Sequence, residues 1–436
     1  MNSAPSPVRL PAGVRDFLPR AAARRRAIAE RLLATFEAWG YQRIITPVFE
    51  CADVLERGLG GDARAAAIRF VEPGTGEVVA LRPDITPQVA RLAATRLADL
   101  GGPARLCYEG AVNRMTAVGH GALAQREILQ AGIELIGADG VDADAEAVAL
   151  AATALAATGL ADVQIDLGHV AFAAEALSVV ADDGQRAALT AALAKKDAQA
   201  VARAAAGLAD VDRDRLVELV GLWGAIGEVI ARAQALAWSS TTRAAAVALA
   251  DVAARVAALA PMARLSADLG LGRGFEYYTG LRFAGFARGA ADAVVRGGRY
   301  DGLVGRYGRA TGAVGFAVDI EAIAGAQRAI GVAAPEPAPG VLIVAGGGAA
   351  GAAAARLAAA LRARDVRTAA HHGPAPTAAY AAETGWSHLL DVAAGQLVTV
   401  ATGAAVAIPA DAIAAATAGD GAALATIFAA AAQAAP

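Results

Sequence analysis

The chain has 436 residues and a formal charge of −3, with a sequence pI near 6.0, a balance that argues against a generally basic nucleic-acid binder. Its 56% hydrophobic content is inflated by alanine, so a mean hydropathy of +0.43 is no membrane signal; runs such as 348–360, broken by Arg356, are too weakly apolar to span a bilayer. Cys51 and Cys107 offer neither a disulfide framework nor a metal spacing, and residues 1–10, with Pro5, Pro7 and Arg9, offer no secretory leader, so a cytoplasmic chain with both cysteines in its core is expected.

Length alone implies two or three domains. Residues 11–19 are a proline-bounded lead-in to a helix predicted over 21–39, with Ile28, Leu32, Leu33 and Phe36 on one face and Gly40 as its stop. The strand 42–45 runs into Thr46-Pro47. Proline cannot donate to a central ladder, so this strand end belongs at an edge or an interface. A short helix over 52–57 is followed by a hairpin of 67–71 and 78–81 around Pro73-Gly74-Thr75-Gly76. In the segment LRPDITPQ, Leu81 to Gln88, a strand end passes into a helix with Pro87 near its first turn and Thr86 at the N-cap position. By place alone, Asp84 also reads as a cap.

Strands over 105–112 and 127–136 form the next hairpin, its loop containing Gly119 and Gly121, with Arg114 at the entry and Arg126 at the exit. Gln130, Gly132 and Glu134 fall on one face of the second strand, and Leu129, Ile133 and Leu135 on the other. A polar strand face with a glycine clearing space suggests a small polar ligand lying on the sheet; a solvated face is the plainer alternative. A helix over 142–158 and a strand over 163–167 follow. From about 169 to 259 the chain reads as almost wholly helical, broken at Gly184, Gly207 and Gly221, an insertion of about 170–260 between two halves of a sheet domain.

The stretch 271–280, LGRGFEYYTG, is the most specified in the chain. As a strand it would send Tyr277 and Tyr278 to opposite faces and put Arg273 on the face of Tyr277, unless the glycines break the register. A plain hairpin with core aromatics is the alternative. Strands over 281–286, 294–299 and 313–318 and a helix over 319–329 complete this part. Pro335, Pro337 and Pro339 make 335–340 a stiff linker that separates 1–334 from 341–436. Beyond it, a strand over 341–345, a helix over 349–364 and a strand over 366–371 begin an alternation that predicts a small α/β domain. Gly346-Gly347-Gly348 lacks the spacing, lysine and ribose-binding acid of a nucleotide loop. His371-His372 lacks further ligands, so no metal site is expected there.

Five segments occur in the order of the motifs of the class II histidyl-tRNA synthetase family. They are Thr46-Pro47; 105–114 with Gln130 and Glu134; Arg273-Gly274 with Glu276-Tyr277-Tyr278-Thr279; Gly297-Gly298-Arg299-Tyr300-Asp301; and 313–321. The likeness covers 11–329 and is weaker beyond the linker. It implies an α+β fold, a class II aminoacyl-tRNA synthetase-like antiparallel sheet with flanking helices and a helical insertion. It also implies a homodimer through the Pro47 region and a C-terminal domain resembling an anticodon-binding domain. A pocket for L-histidine is implied as well, with Asp84 on the amino group and Thr86 and Gln130 supporting it. Glu134 and a tyrosine of Tyr277-Tyr278 would hold the imidazole, Arg126 or Arg273 would meet the carboxylate, and Arg114 stands at the second-motif arginine. The chemistry is coherent, because a carboxylate facing a phenol satisfies both imidazole nitrogens.

The departures are as informative. Thr116 stands where the family has an adenine-reading acid, Asp319 where it has glycine, and Ala322 where it has an ATP-binding arginine. Losing a cation and gaining an acid beside a triphosphate should badly impair ATP binding. In the last domain, Arg356, Arg362, Arg364 and Arg367 stand against Asp365, Glu383, Asp391, Asp411 and Asp420, no surplus for tracking RNA. Together with LRPDITPQ, these departures resemble the paralogues in that family that serve as regulatory subunits of ATP phosphoribosyltransferase. That resemblance implies a chain that catalyses nothing and takes no cofactor. It would join a short-form catalytic subunit in a hetero-oligomer and carry histidine feedback inhibition of the first step of L-histidine biosynthesis, without contacting tRNA or a membrane. An active histidine-tRNA ligase and a stand-alone histidine-binding sensor stay open as other readings.

Overall fold

The computed structural model describes residues 9–118, 125–236, 238–270, 277–344, 349–372 and 376–434. Arg273, Gly119, Gly121, Gly346-Gly347-Gly348 and the side chain of Thr116 lie outside what it describes. By internal contacts the chain divides into two compact units, Met1–Ala334 and Pro335–Pro436. Among the described residues, no helix is long and apolar enough to cross a membrane.

A nine-stranded sheet organises the first unit. Its order is Gln42–Arg43, Ala104–Val118, Gln125–Ile136, Ala313–Asp319, Val295–Arg299, Leu281–Phe286, Gln164–His169, Arg264–Asp268 and Trp223–Ala225. Pairing is antiparallel except at Gln42–Arg43 with Ala104–Val118 and at Gln164–His169 with Arg264–Asp268. The strand before Pro47 is thus an edge strand, as the missing proline donor requires. A separate small sheet pairs Phe49–Cys51 and Ile68–Val71 with Val78–Leu81.

Side-chain alternation gives the large sheet two unlike faces. One carries Ile133, Leu135, Ile165, Leu167, Phe283, Val295, Val314 and Phe316 into the main core. Against it lies the helix Gly140–Ala157, where Ala147 to Ala152, Ala154 and Leu155 are all fully buried. A helix that is apolar all round has to be central. Its alanines let it pack closely against Pro19–Ala38, Ser240–Leu259 and the sheet. Phe36, from Pro19–Ala38, meets Phe316 edge to face at 5.6 Å.

One expectation about the insertion changes. Gly184 sits inside the helix Asp183–Ala194, which Asp182 caps through the Gln185 amide at 2.6 Å, instead of breaking it. The region is otherwise almost wholly helical as expected, with the short strand Trp223–Ala225 pairing with Arg264–Asp268 and extending the main sheet. Its helices bury Leu189, Leu193, Leu216 and Leu219 in the same core as the sheet. Of the cysteines, Cys107 is buried and Cys51 only half-buried, its Sγ 3.7 Å from Glu77.

In the second unit the sheet order is Arg367–Ala370, Gly340–Val344, His388–Asp391, Gln396–Thr399 and Ala405–Ala407. The first three strands are parallel, but the last two return antiparallel, so the predicted alternation stops at His388. The connections explain it, since turns through Gly395 and Gly403, both at positive φ, are too short for a parallel crossover.

One buried ion pair fastens the central helix to the sheet. Arg299 reaches Asp144 with Nε at 2.9 Å and Nη2 at 2.8 Å, both side chains nearly sealed from water. Losing Asp144 would leave the buried guanidinium only the half-exposed Asp301, 3.0 Å from Nη1, so most of its compensation would go. Asp144→Ala is therefore expected to lower unfolding stability by about 3 kcal/mol, read as a lower urea midpoint at unchanged slope. An unchanged midpoint would show that the pair contributes nothing net.

Candidate ligand-binding site

The other sheet face carries the candidate site. Glu134, only 1% exposed, stands on Gln125–Ile136 opposite Leu106 on one side and Gly315 on the other. Its Oε1 accepts from Thr86 Oγ1 at 2.7 Å and from Tyr108 Oη at 3.3 Å, and its Oε2 accepts from Tyr300 Oη. Beside this cage Tyr277 donates to Asp84 Oδ2 at 2.9 Å. The Tyr277 ring meets those of Tyr278 and Tyr300 edge to face, with centroids 5.1 and 5.7 Å apart.

The structure thus brings together Asp84, Thr86, Glu134, Tyr277 and Tyr278. Gln130 lies on the same face, and its buried Oε1 has no hydrogen-bond partner among the described residues. Arg114 and Arg126 stand further along the hairpin: Arg114 Nε donates to Pro83 O at 3.1 Å, and Arg126 Nε to Arg114 O at 3.1 Å. The expected Arg273 lies outside the described residues.

Several expectations are corrected. Tyr277 and Tyr278 do not alternate on a strand: the chain turns at Tyr277, the strand begins at Leu281, and the two rings touch. Thr86 is not an N-cap, since the helix Thr86–Arg96 begins after Ile85 with no side-chain cap, and the hydroxyl goes to Glu134. Asp84 does help the helix start, its Oδ1 accepting from the Thr86 amide at 3.2 Å, while Oδ2 serves Tyr277. The hydroxyls on Glu134 itself include the phenols of Tyr108 and Tyr300. Gly132 does clear space, but for Tyr108: a Cβ there would stand 2.5 Å from the Tyr108 hydroxyl. Neither Tyr108 nor Tyr300 was singled out from sequence for this role.

Burial sets the protonation states. Desolvation pushes the Glu134 carboxyl up to about 8, against hydrogen bonds from Tyr300 and Thr86 that favour its ionised form. Desolvation likewise holds the Tyr108, Tyr277 and Tyr300 phenols well above their usual range, with the nearby carboxylates adding to it. Near neutrality the phenols and Glu134 all carry protons, so one hydroxyl of the cage accepts from the Glu134 carboxyl while the others donate to it, and the site presents both donors and acceptors around an aromatic wall. No group of three or more His, Cys, Asp or Glu that could hold a metal ion occurs among the described residues.

At the end of the neighbouring strand, Asp319 caps the helix Ile320–Ala329 by accepting from the Ala322 amide at 2.9 Å. Glu321 accepts from Arg25 Nε at 2.6 Å and Arg15 Nη2 at 3.3 Å. Burial raises both acids above the usual carboxylate range.

A large, mainly antiparallel sheet backed by helices is the fold of the class II aminoacyl-tRNA synthetases. Consistent with this, a family model described as Histidyl-tRNA synthetase matches residues 13–323. The relatives are more specific. The ATP phosphoribosyltransferase regulatory subunit of Anaeromyxobacter dehalogenans is 45% identical over 316 residues, 72% of this chain and 89% of that one. That of Geobacter sulfurreducens is 41% identical over 321 residues, 72% of each chain. A solved structure from Bacillus halodurans, described as an ATP phosphoribosyltransferase regulatory subunit/histidyl-tRNA synthetase, aligns with a TM-score of 0.74 at 25% identity, over 89% of this chain and 99% of that one. The chain belongs to the family of ATP phosphoribosyltransferase regulatory subunits, on the histidyl-tRNA synthetase fold.

Glu134 has a measurable consequence. In the unfolded chain its carboxyl ionises near 4.5, whereas in the folded chain it keeps its proton to about pH 8. The folded state binds the extra proton between those values, so this group makes stability fall as pH rises from about 4.5 to 8. Glu134→Gln should flatten that part of the pH–stability profile from urea unfolding. An identical slope in wild type and variant would show that Glu134 is not held neutral.

Proposed function

We propose that this chain is the non-catalytic regulatory subunit of an ATP phosphoribosyltransferase. It is required by a short-form catalytic subunit, and it carries feedback inhibition by L-histidine in the first step of histidine biosynthesis. The observation that carries the histidine reading is the site itself. A buried carboxyl held by three hydroxyls lies beside an Asp84–Tyr277 pair, with the Gln130 oxygen left for a ligand donor. Asp84, Thr86, Gln130, Glu134, Tyr277 and Tyr278 are the residues proposed to hold histidine, with Arg114, Arg126 and Arg273 toward its carboxylate. The curated relatives' names support the transferase partner.

Two further observations favour a chain without synthetase chemistry. Asp319 and Glu321, acids beside the position where a synthetase places its ATP-binding arginine, are engaged in holding the helix and the N-terminal lead-in, and an acid there repels phosphate. In the second unit, Arg362, Arg364 and Arg367 bond Thr368 O, Asp420 and Gly385 O, which supports an absence of tRNA binding. A homodimer is favoured by the surface after the edge strand, where Ile45 is 83% exposed and Val48 and Phe49 are about half exposed, an apolar patch of the kind that a second copy covers.

Three measurements test this reading. Calorimetry should detect histidine binding, weakened about tenfold or more by Asp84→Asn or Glu134→Gln, because each change unpairs a buried polar contact. A short-form transferase should be inert alone and active, and histidine-inhibited, with this chain. ATP–pyrophosphate exchange with histidine should be absent; sustained exchange would sink the proposal in favour of a ligase.

A further inference from the structure

Arg82 is 4% exposed, and its Nε and Nη1 donate to groups of Ala111, of Thr46-Pro47 and of Gln88. Its Nε donates to Ala111 O at 2.8 Å, and its Nη1 to Thr46 O at 3.0 Å, Thr46 Oγ1 at 2.8 Å and Pro47 O at 3.3 Å. Its backbone amide donates to Val48 O at 3.1 Å, and its carbonyl accepts from the Asn113 amide at 2.8 Å. Gln88 completes the clasp, its Nε2 donating to Pro47 O at 2.9 Å and to Glu50 Oε2 at 3.0 Å. The passage is cut to fit: any Cβ at Gly110 would overlap the Arg82 guanidinium. Burial with few compensating charges lowers the guanidinium's pKa, which makes its hydrogen bonds costly to lose.

The same short segment faces the ligand site. Asp84 and Thr86, lying between Arg82 and Gln88, hold Tyr277 and Glu134. Pro83 and Pro87 restrict the backbone between them, so a shift at Asp84 has little room to dissipate before it reaches Arg82. At the other end of the clasp is the turn that presents Ile45, Val48 and Phe49 to solvent.

We propose that Arg82 is a positioning residue that ties the exposed turn 45–49 to Asp84 and Thr86, so that the state of the ligand site sets the order of that surface. The coupling rests on reading the Asp84–Tyr277 pair as part of the ligand site. It supplies a physical route by which a small ligand on the sheet alters an association surface.

Amide hydrogen exchange on the full chain, without ligand, tests this. Tyr277→Phe removes the hydroxyl that meets Asp84, and Asp84→Asn weakens the acceptor. In both, the amides of Ile44, bonded to Cys107 O, and of Arg82, bonded to Val48 O, should exchange about tenfold faster than in wild type. Those of Gln164–His169 and Gly340–Val344 should not change. In an Arg82→Lys background, or in Thr46→Val if the lysine variant does not fold, the same site substitutions should leave the Ile44 rate unaltered. Wild-type rates at Ile44 and Arg82 in both site variants, or an undiminished response once the clasp is cut, would overturn the proposal. Because no ligand is added, a chain that fails to bind histidine refutes the functional reading while this result still stands or falls by itself.

Discussion

A carboxyl group sealed from water must be satisfied by its neighbours, and at Glu134 that demand orders much of the first unit. Its three hydroxyl partners come from the start of the helix Thr86–Arg96, from the strand Ala104–Val118 and from the chain just after Val295–Arg299. Those segments lie on both sides of the helical insertion in sequence. The cage forms only if the hairpin register, the helix start and the return of the chain after the insertion are all correct together. A one-residue slip of Gln125–Ile136 would turn Glu134 into the apolar core and Ile133 or Leu135 into the cage. The polar face and the core face of the sheet therefore enforce the same register.

Much of the fold was legible because it rests on local periodicity. The apolar face of the first helix, the hairpin at Gly74 and the alternation of Gln130, Gly132 and Glu134 each declare themselves within a dozen residues, and Ile28, Phe36 and Glu134 lie where those patterns put them. Tyr108 and Tyr300 were not legible as partners of Glu134, because their roles depend on cross-strand register. Tyr108 stands opposite Gly132, and a tyrosine facing a glycine across a ladder is a signal that appears only once the strands are aligned. Tyr277 and Tyr278 misled for the opposite reason: adjacency suggested strand alternation, while the chain turns there before the strand begins. Thr86 illustrates competition between local and distant partners, its hydroxyl taken from a capping role by a buried carboxyl.

Of the two acids near the end of Ala313–Asp319, Asp319 was read from sequence as an added repulsion, beside the cation missing at Ala322. In the folded chain both acids have structural work. Asp319 caps the following helix, and Glu321 binds Arg25 and Arg15, with Arg25 stacked over Phe17 at 3.7 Å. The lead-in that looked like a plain approach to the first helix is thereby fastened to this strand end. A reversion toward a nucleotide-binding sequence at Asp319 would have to replace a helix cap as well as remove a charge.

The protonation states set what the site can offer a ligand. The phenols of Tyr108, Tyr277 and Tyr300 stay protonated far above neutrality, whereas Glu134, raised to about 8, changes charge close to it. Phenols that keep their protons and a carboxyl that is mostly neutral at pH 7 would recognise a ligand by its pattern of hydrogen bonds. On the proposed reading, binding free energy at such a site has one available use, which is to favour one arrangement of the surrounding chain over another. The segment from Arg82 to Gln88 is suited to that use, since it is stiffened by two prolines and joined to the cage by Asp84 and Thr86. At its two ends it grips the turn that leads to the surface.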